Sequence, residues 1–345
     1  MIIKNKKIYK AAVIGVGRIG MLLESDEKRL KPATHFGMWN SHPEVNLVAV
    51  CDTSDENLQV AKSLKPDVKT YVDAEQLLID EKPDIVSIST WKDTHYEIMK
   101  LCIKHEIPAI VCEKPIAEKT EHAHEVVKEA KDAGIHLFIN HRRRFDSLLY
   151  PFRDEIKNGK FGDIVQVNAH YVFGLVTTGT HLVDALRFLL CDTAGEVVWV
   201  IGMKHNFENY APPDDPGINF VLGFANGLTV SVQTMDIKKY DLFDFYFYGT
   251  EGLAVLKNIG RDIEIFKIRE SDEHSGFTEL ENVPSDVRGG APRDQFTFLA
   301  QNVLDSLRGK SSSLSTGKDS LIALDILLAI EDSSKNDSKK IYINK

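Results

Sequence analysis

The stretch IYKAAVIGVGRIG, residues 8–20, decides the fold. Ile8–Ile14 is an apolar run of strand length, and it leads directly into Gly15-Val16-Gly17-Arg18-Ile19-Gly20, the pattern G-x-G-x-x-G. In that pattern the first glycine allows a tight turn, the second lets backbone amides approach a pyrophosphate, and the third lets helix and strand pack closely. A helix opening at this point offers its N-terminus to an anion. The reading is a strand, a phosphate-cradling turn and a helix, with Gly15, Val16, Gly17, Arg18, Ile19 and Gly20 as cofactor-binding positions. The plain alternative is a turn with incidental glycines.

Working outward, Leu47–Cys51 reads as a second strand, and Asp52 ends it. An acid there accepts hydrogen bonds from the ribose hydroxyls of NAD and repels a 2′-phosphate. NAD is therefore expected, with NADP as the alternative because Thr53 and Ser54 are able to hold a phosphate. Asp52 lies 32 residues beyond Gly20, where about 20 is usual. The extra segment, SDEKRLKPATHFGMWNSHPE, is expected to be a long functional loop folding over cofactor or substrate. His35 within it reads more readily as a packed or surface histidine.

Further strand-like runs follow at 68–71, 85–89, 109–112 and 135–139, alternating with helical patterns, as in a parallel sheet covered by helices. Thr53 with Glu56 and Thr94 with Glu97 fit the capping-box spacing, Asp73 can cap a helix, and Gly134 suits a helix end. After residue 160 the texture changes. Segments at 164–173, 197–203, 218–224, 228–234 and 243–248 read as strands with little helix between them. Asn226-Gly227 and Gly249-Thr250-Glu251-Gly252 read as hairpin turns. Helical patterns return at 292–307 and 318–330. The expected fold class is α/β plus α+β: a Rossmann domain over residues 1–140 and a mostly antiparallel, sheet-rich substrate and oligomerisation domain over 141–345.

Composition agrees with two globular domains: 345 residues, 43% hydrophobic and 27% charged. The net charge of −9 disfavours a nucleic-acid or anionic-membrane surface. It is unevenly spread, since residues 1–145 hold 22 basic and 22 acidic side chains and 146–345 hold 20 and 29. Cys51, Cys102, Cys112 and Cys191 form no CxxC pair, so neither a metal site nor a disulfide framework is expected. No apolar run reaches the length of a membrane span, and Arg18 with three glycines interrupts the only stretch resembling a secretory signal, so the expected location is the cytoplasm.

Cys112-Glu113-Lys114-Pro115 follows the fifth strand-like run, which puts Lys114 at the carboxyl edge of the sheet, where doubly wound folds bind ligands. Together with the glycine pattern and the sheet-rich second half, this makes the chain resemble the Gfo/Idh/MocA family of glucose-fructose oxidoreductase and inositol dehydrogenase type. The resemblance runs through Ser89-Thr90-Trp91 to His95, NHRRRFD at 140–146, Gly179-Thr180-His181-Leu182-Val183-Asp184 and Gly249–Gly252. It implies that Lys114 lies beside the nicotinamide and the reacting carbon, with Thr90, Trp91, His95 and Glu113 among the cofactor-binding residues. Oxidising a secondary alcohol requires its hydroxyl proton to leave. A lysine whose ammonium is destabilised by desolvation and by a positively charged nicotinamide can exchange that proton near neutral pH.

By the same resemblance His181 is the second catalytic position, with Asp184 at i+3 on a predicted helix able to orient its imidazole. Many members carry an aspartate four positions before this histidine. Thr177 stands there instead. A hydroxyl is not a carboxylate base, so an inositol-type preference does not transfer. Asn140 and one of Arg143 or Arg144 are implied to face the substrate, since arginine forks suit anionic groups such as a diphosphate; interdomain ion pairing is the equal alternative. Tyr171, Phe173 and Tyr240 are candidates to stack on a sugar ring, with core packing the commoner role, and the APPDDPG loop at 211–217 reads as surface. The expected activity is hydride transfer between NAD and a sugar, polyol or sugar nucleotide by a homodimer or homotetramer assembled through the C-terminal sheet. The alternatives are a non-catalytic dinucleotide sensor and an oxidoreductase that keeps its cofactor tightly bound.

Overall fold

In the computed structural model, which describes residues 7–204, 214–285 and 295–343, the opening apolar run is strand β1 (Tyr9–Ile14). The glycine pattern follows as a turn, but no continuous helix opens from it. A single turn over residues 18–21 leads into a 3-10 segment, Leu22–Ser25, and a loop before helix α1 (His35–Ser41) begins. Two hydrogen bonds explain the interruption: His35 N donates to Ile19 O at 3.2 Å and Phe36 N to Gly20 O at 2.8 Å. Those partners are 16 positions apart, where an uninterrupted α-helix has 4, so α1 resumes the helix begun at Gly17 with 12 residues looped out.

The rest of the first sheet comprises β2 (Val45–Cys51), β3 (Lys69–Tyr71), β4 (Ile85–Ile88), β5 (Ala109–Cys112) and β6 (His136–Ile139), all parallel, in the order β3-β2-β1-β4-β5-β6. Helices α2 (Asp55–Leu64), α3 (Ala74–Glu81), α4 (His95–Lys104) and α5 (Thr120–Asp132) alternate with the strands. Because helices cover both faces, β4 and β5 are buried at every residue, which is why they appear in the sequence as unbroken apolar runs. Asp73 caps α3 through Gln76 N, and Gly134 ends α5 with φ +68°. Two caps differ from expectation. Ser54, not Thr53, caps α2, and Thr94 spends its hydroxyl on Thr90 and on Trp91 O. Burial pushes the Cys51 thiol up to about 12 and raises those of Cys102 and Cys112 well above the ordinary range, so they serve as apolar packing.

Among the described residues the second sheet has nine strands. They are β7 (Ile164–Val172), β8 (Val197–Lys204), β9 (Ile218–Phe224), β10 (Thr229–Met235), β11 (Phe243–Gly249), β12 (Gly252–Lys257), β13 (Asp262–Glu270), β14 (Thr278–Val283) and β15 (Ile341–Tyr342). Their order is β14-β13-β12-β11-β7-β10-β9-β8-β15, antiparallel throughout except for the β7–β10 pair. Strand β10 alternates exposed and buried residues, and Val230, Val232, Phe245 and Phe247 belong to one core with Phe152 of α6 (Leu149–Lys157) and Leu182, Leu186 and Leu190 of α7 (Thr180–Ala194).

The chain divides into two compact units, Met1–Asp146 with Arg293–Leu321 and Ser147–Pro292 with Ile322–Lys345. The boundary therefore lies at 146/147 rather than 140/141, and a C-terminal segment returns to the first unit. The reason is packing. Phe145, and Leu299, Ala300, Val303 and Leu304 of α8 (Gln295–Leu307), share a core with Trp39 and Phe138. The chain passes to the second unit within α9 (Gly317–Lys335), whose Ile326 and Ile330 join the other core. Among the described residues no helix is long and apolar enough to cross a membrane, and no group of three or more His, Cys, Asp or Glu side chains is placed to hold a metal ion.

Candidate functional site

In the first unit the carboxyl ends of β1, β4, β5 and β6 lie side by side along one sheet edge. The order reverses between β1 and β4, the point at which open α/β sheets bind their ligands. Gly15 has φ +86°, and a Cβ there would lie 2.6 Å from Thr90 N; a Cβ on Gly20 would lie 2.0 Å from Gly15 O. The chain itself demands both glycines. Gly17 differs, because a Cβ there would meet nothing within 4 Å. The backbone there is open to approach from outside the chain. Among the described residues nothing accepts from the N–H groups of Gly17, Arg18 or Ile19, which leaves three donors at the start of the interrupted helix.

Asp52 closes the other end of this cradle. Its Oδ2 accepts from Val16 N at 2.8 Å and its Oδ1 from Ser54 N at 2.8 Å. A carboxylate has about four acceptor positions, so about two remain for ribose hydroxyls. Subtracting the 12 looped-out residues from the 32 that separate Gly20 and Asp52 leaves 20, the usual interval. The residues present thus fit a dinucleotide with a free 2′-hydroxyl.

Glu113 and Lys114 emerge from β5 beside this cradle. The Glu113 carboxylate is gripped from two sides: Oε1 lies 3.0 Å from His35 Nε2 and accepts from Asn140 Nδ2 at 2.6 Å, while Oε2 accepts from Lys114 N at 3.3 Å. Burial alone would raise its pKa. The bond and field of His35, the Asn140 amide and the Lys114 charge outweigh burial and bring it down to about 2. A carboxylate only accepts, so His35 donates from Nε2; its Nδ1 is buried with no partner among the described residues. His35, the first residue of α1, is wholly buried against Phe296, a packed histidine as the sequence reading favoured, and its packing brings it onto Glu113. Its signal was the long Gly20–Asp52 interval, which only the helix register decodes.

His95 is buried, with Nδ1 2.8 Å from Pro115 O and Nε2 3.2 Å from Thr90 O. It ties the turn after β4 to the turn carrying Lys114. Trp91 is 84% exposed on the same sheet edge. Arg144 donates to Leu314 O at 3.0 Å and lies 3.3 Å from Asp319, and Arg143 lies 3.9 Å from Asp146, which also accepts from Gln295 at 2.8 Å. Both guanidinium groups are buried in ties within the first unit, whereas Asn140 joins Glu113.

The second unit holds the other expected positions. His181 is the second residue of α7 and partly exposed; Asp184 lies on the same face one turn later and is fully buried. Thr177 sits in a wide helical turn, Leu175–Gly179, that runs into α7. Its hydroxyl donates to Asp215 Oδ2 at 2.5 Å. Asp215 belongs to the segment expected at the surface; residues 211–213 of that segment lie outside the described residues, but Asp215 itself is buried. Tyr171 is core, its hydroxyl donating to Ile218 O, while Tyr240 is exposed.

Residues 9–141 match a family described as an oxidoreductase family with an NAD-binding Rossmann fold. The chain is 28% identical over 153 residues to myo-inositol 2-dehydrogenase of Thermotoga maritima, covering 44% of this chain and 42% of that protein. It is 27% identical over 213 residues to 1,5-anhydro-D-fructose reductase of Ensifer adhaerens, covering 55% and 62%. The chain thus spans about half the length of the curated relatives it matches. In fold it is similar to the WlbA dehydrogenase of Bordetella pertussis, solved with NADH and UDP-GlcNAcA, with a TM-score of 0.77 at 19% identity over 98% of this chain and 100% of that one.

Proposed function

We propose that the chain, whose residues 9–141 match the Gfo/Idh/MocA model of oxidoreductases with an NAD-binding Rossmann fold, is an oxidoreductase of that kind and moves a hydride between NAD and a secondary hydroxyl or ketone of a sugar, polyol or sugar nucleotide. The observation that carries the reading is Lys114, set at the carboxyl edge of the sheet next to a glycine turn whose middle glycine is bare toward the outside. Gly17, Arg18 and Ile19 would hold the pyrophosphate by their amides and Asp52 the adenosine ribose. When bound, the nicotinamide supplies the acceptor or donor of the hydride. Thr90 and Trp91 border the same edge.

Lys114 takes the hydroxyl proton during oxidation and returns it during reduction. Glu113 stays ionised throughout, because His35 and Asn140 stabilise its charge, and it fixes the backbone from which Lys114 projects. From the second unit, His181 is the second proton-handling group, with Asp184 beneath it on α7. The relatives' printed names, an inositol dehydrogenase and an anhydrofructose reductase, support a polyol or sugar substrate. The outer face of the nine-stranded sheet, with half-buried Tyr246, Tyr248 and Leu253, supports subunit contacts in a homodimer or homotetramer.

A screen at 340 nm tests the reading, using NAD or NADP with myo-inositol and D-glucosides, NADH with 1,5-anhydro-D-fructose, and NAD with UDP-GlcNAcA. Turnover of at least one compound is expected, with Lys114→Ala lowering kcat by about 10²–10⁴-fold. Full activity in Lys114→Ala would remove the lysine from the mechanism. Silence across the panel with dinucleotide binding intact would favour a sensor.

A further inference from the structure

The carboxylate missing from the α7 pattern in sequence is present in space. Thr177 occupies the position four residues before His181, and Asp215, 38 positions further along the chain, reaches it from the loop that enters β9. Asp215 Oδ1 accepts from Val176 N at 2.7 Å; Oδ2 accepts from Thr177 N at 2.8 Å and from the Thr177 hydroxyl at 2.5 Å. The neighbouring Pro216 O accepts from Leu175 N at 3.1 Å, and the Tyr171 hydroxyl both donates to Ile218 O and accepts from Ile218 N. The fit is close: a Cβ on Gly174 would lie 2.2 Å from the Asp215 carboxyl carbon. Just before it, Phe173 takes φ +72°, a left-handed backbone that a bulky side chain adopts only under tertiary constraint.

We propose that Asp215 is a positioning residue that acts through Thr177, making the oxygen at position 177 an obligate hydrogen-bond acceptor for a substrate hydroxyl. This rests on the role given to His181 above. The argument is one of polarity. Thr177 has a single hydroxyl proton, and it is committed to Asp215 in a short, charge-assisted bond. Any further hydrogen bond of that oxygen must be one it accepts. Thr177 is exposed while Asp215 behind it is only 9% exposed, so the charge stays buried and its effect reaches the surface through the threonine. A position of this polarity pairs with an O–H donor and not with a carbonyl or carboxylate. It keeps the acceptor character of an aspartate without presenting a full negative charge, which selects a neutral polyhydroxylated ring at this point.

The test uses the full-length protein and whichever compound of the panel gives the highest rate. Thr177→Val removes the hydroxyl but keeps the amide bond to Asp215, so the melting temperature should stay within a few degrees while kcat/KM falls about tenfold or more. Thr177→Ser should restore most of that loss, and Asp215→Asn, which keeps one acceptor oxygen but loses the charge that holds the Thr177 proton, should reproduce part of it. Wild-type kcat/KM in Thr177→Val, with His181→Ala impaired, would overturn the proposal and leave the function standing. Wild-type turnover in His181→Ala, or silence across the panel, would overturn the underlying reading and this role with it.

Discussion

Asp52 holds the amides of Val16 and Ser54 with one carboxylate, and in the proposed function its remaining lone pairs take a ribose. Asp52→Ala should therefore weaken NAD by about tenfold to a hundredfold, since hydrogen bonds to a charged group contribute roughly 1.5–3 kcal/mol. It should weaken NADP less, because the repulsion of a 2′-phosphate goes with the carboxylate. Titration of both dinucleotides checks this, and equal losses would argue against the coenzyme assignment. Glu113 makes a different prediction. Its pKa falls from an ordinary 4.5 to about 2 in the fold, so its stabilisation is fully present above pH 4.5 and is lost as pH falls toward 2. Glu113→Gln should be less stable than the parent at neutral pH, with the gap in melting temperature closing across that window. A gap that stayed constant from pH 5 to 2 would show that the charge contributes nothing. Residue identities singled out Lys114 and Asp52 as candidates in the sequence. They hid Arg144 and Asp215, because whether an ionisable side chain faces a ligand or ties down a neighbouring segment depends on what the fold brings beside it.

Among elements, those buried on both faces were the easiest to read: Ile85–Ile88 and Ala109–Cys112 are apolar runs because helices cover both sides. The helix after the glycine turn was misread for a geometric reason. A hydrogen-bond register passes across a loop without leaving a trace in residue spacing, so His35 and Asp52 both stood apparently out of place. The loop is tied by its own residues, Glu24 accepting from Ala33 N at 3.0 Å and from the Thr34 hydroxyl at 2.6 Å, and Lys31 donating to Asp26 O at 2.7 Å. Deleting residues 22–33 would bring Phe36 to four positions after Gly20 and leave His35 where Glu113 needs it. Such a variant should fold and bind NAD within about tenfold of the parent, as helix continuity permits. Loss of binding by calorimetric titration would instead assign the loop a direct contact with the dinucleotide. The cap shift from Thr53 to Ser54 is a smaller case, since adjacent hydroxyls satisfy the same pattern and only the backbone chooses between them.

At the scale of the whole molecule, the two-domain organisation was visible in the change of texture near residue 160, but not the return of α8 to the first unit, because an apolar helical stripe does not say which core it joins. Leu304 is buried in the first unit's core, and Leu304→Ala should cost about 2–5 kcal/mol. The loss should appear in the thermal transition that NAD raises, because the dinucleotide stabilises the unit it binds. A shift confined to a transition insensitive to NAD would contradict the placement of α8. The looped-out segment also makes the first unit a natural host for splicing. In the helix register its two mouths are consecutive positions, about 3.8 Å apart between Cα atoms when the helix is continuous, and doubling the length of such a loop costs only about 0.6 kcal/mol. A reporter or sensory module grafted between Met21 and Thr34 would ride on the helix that cradles the coenzyme, so its own state and the occupancy of the cradle would be read through the same turn of backbone.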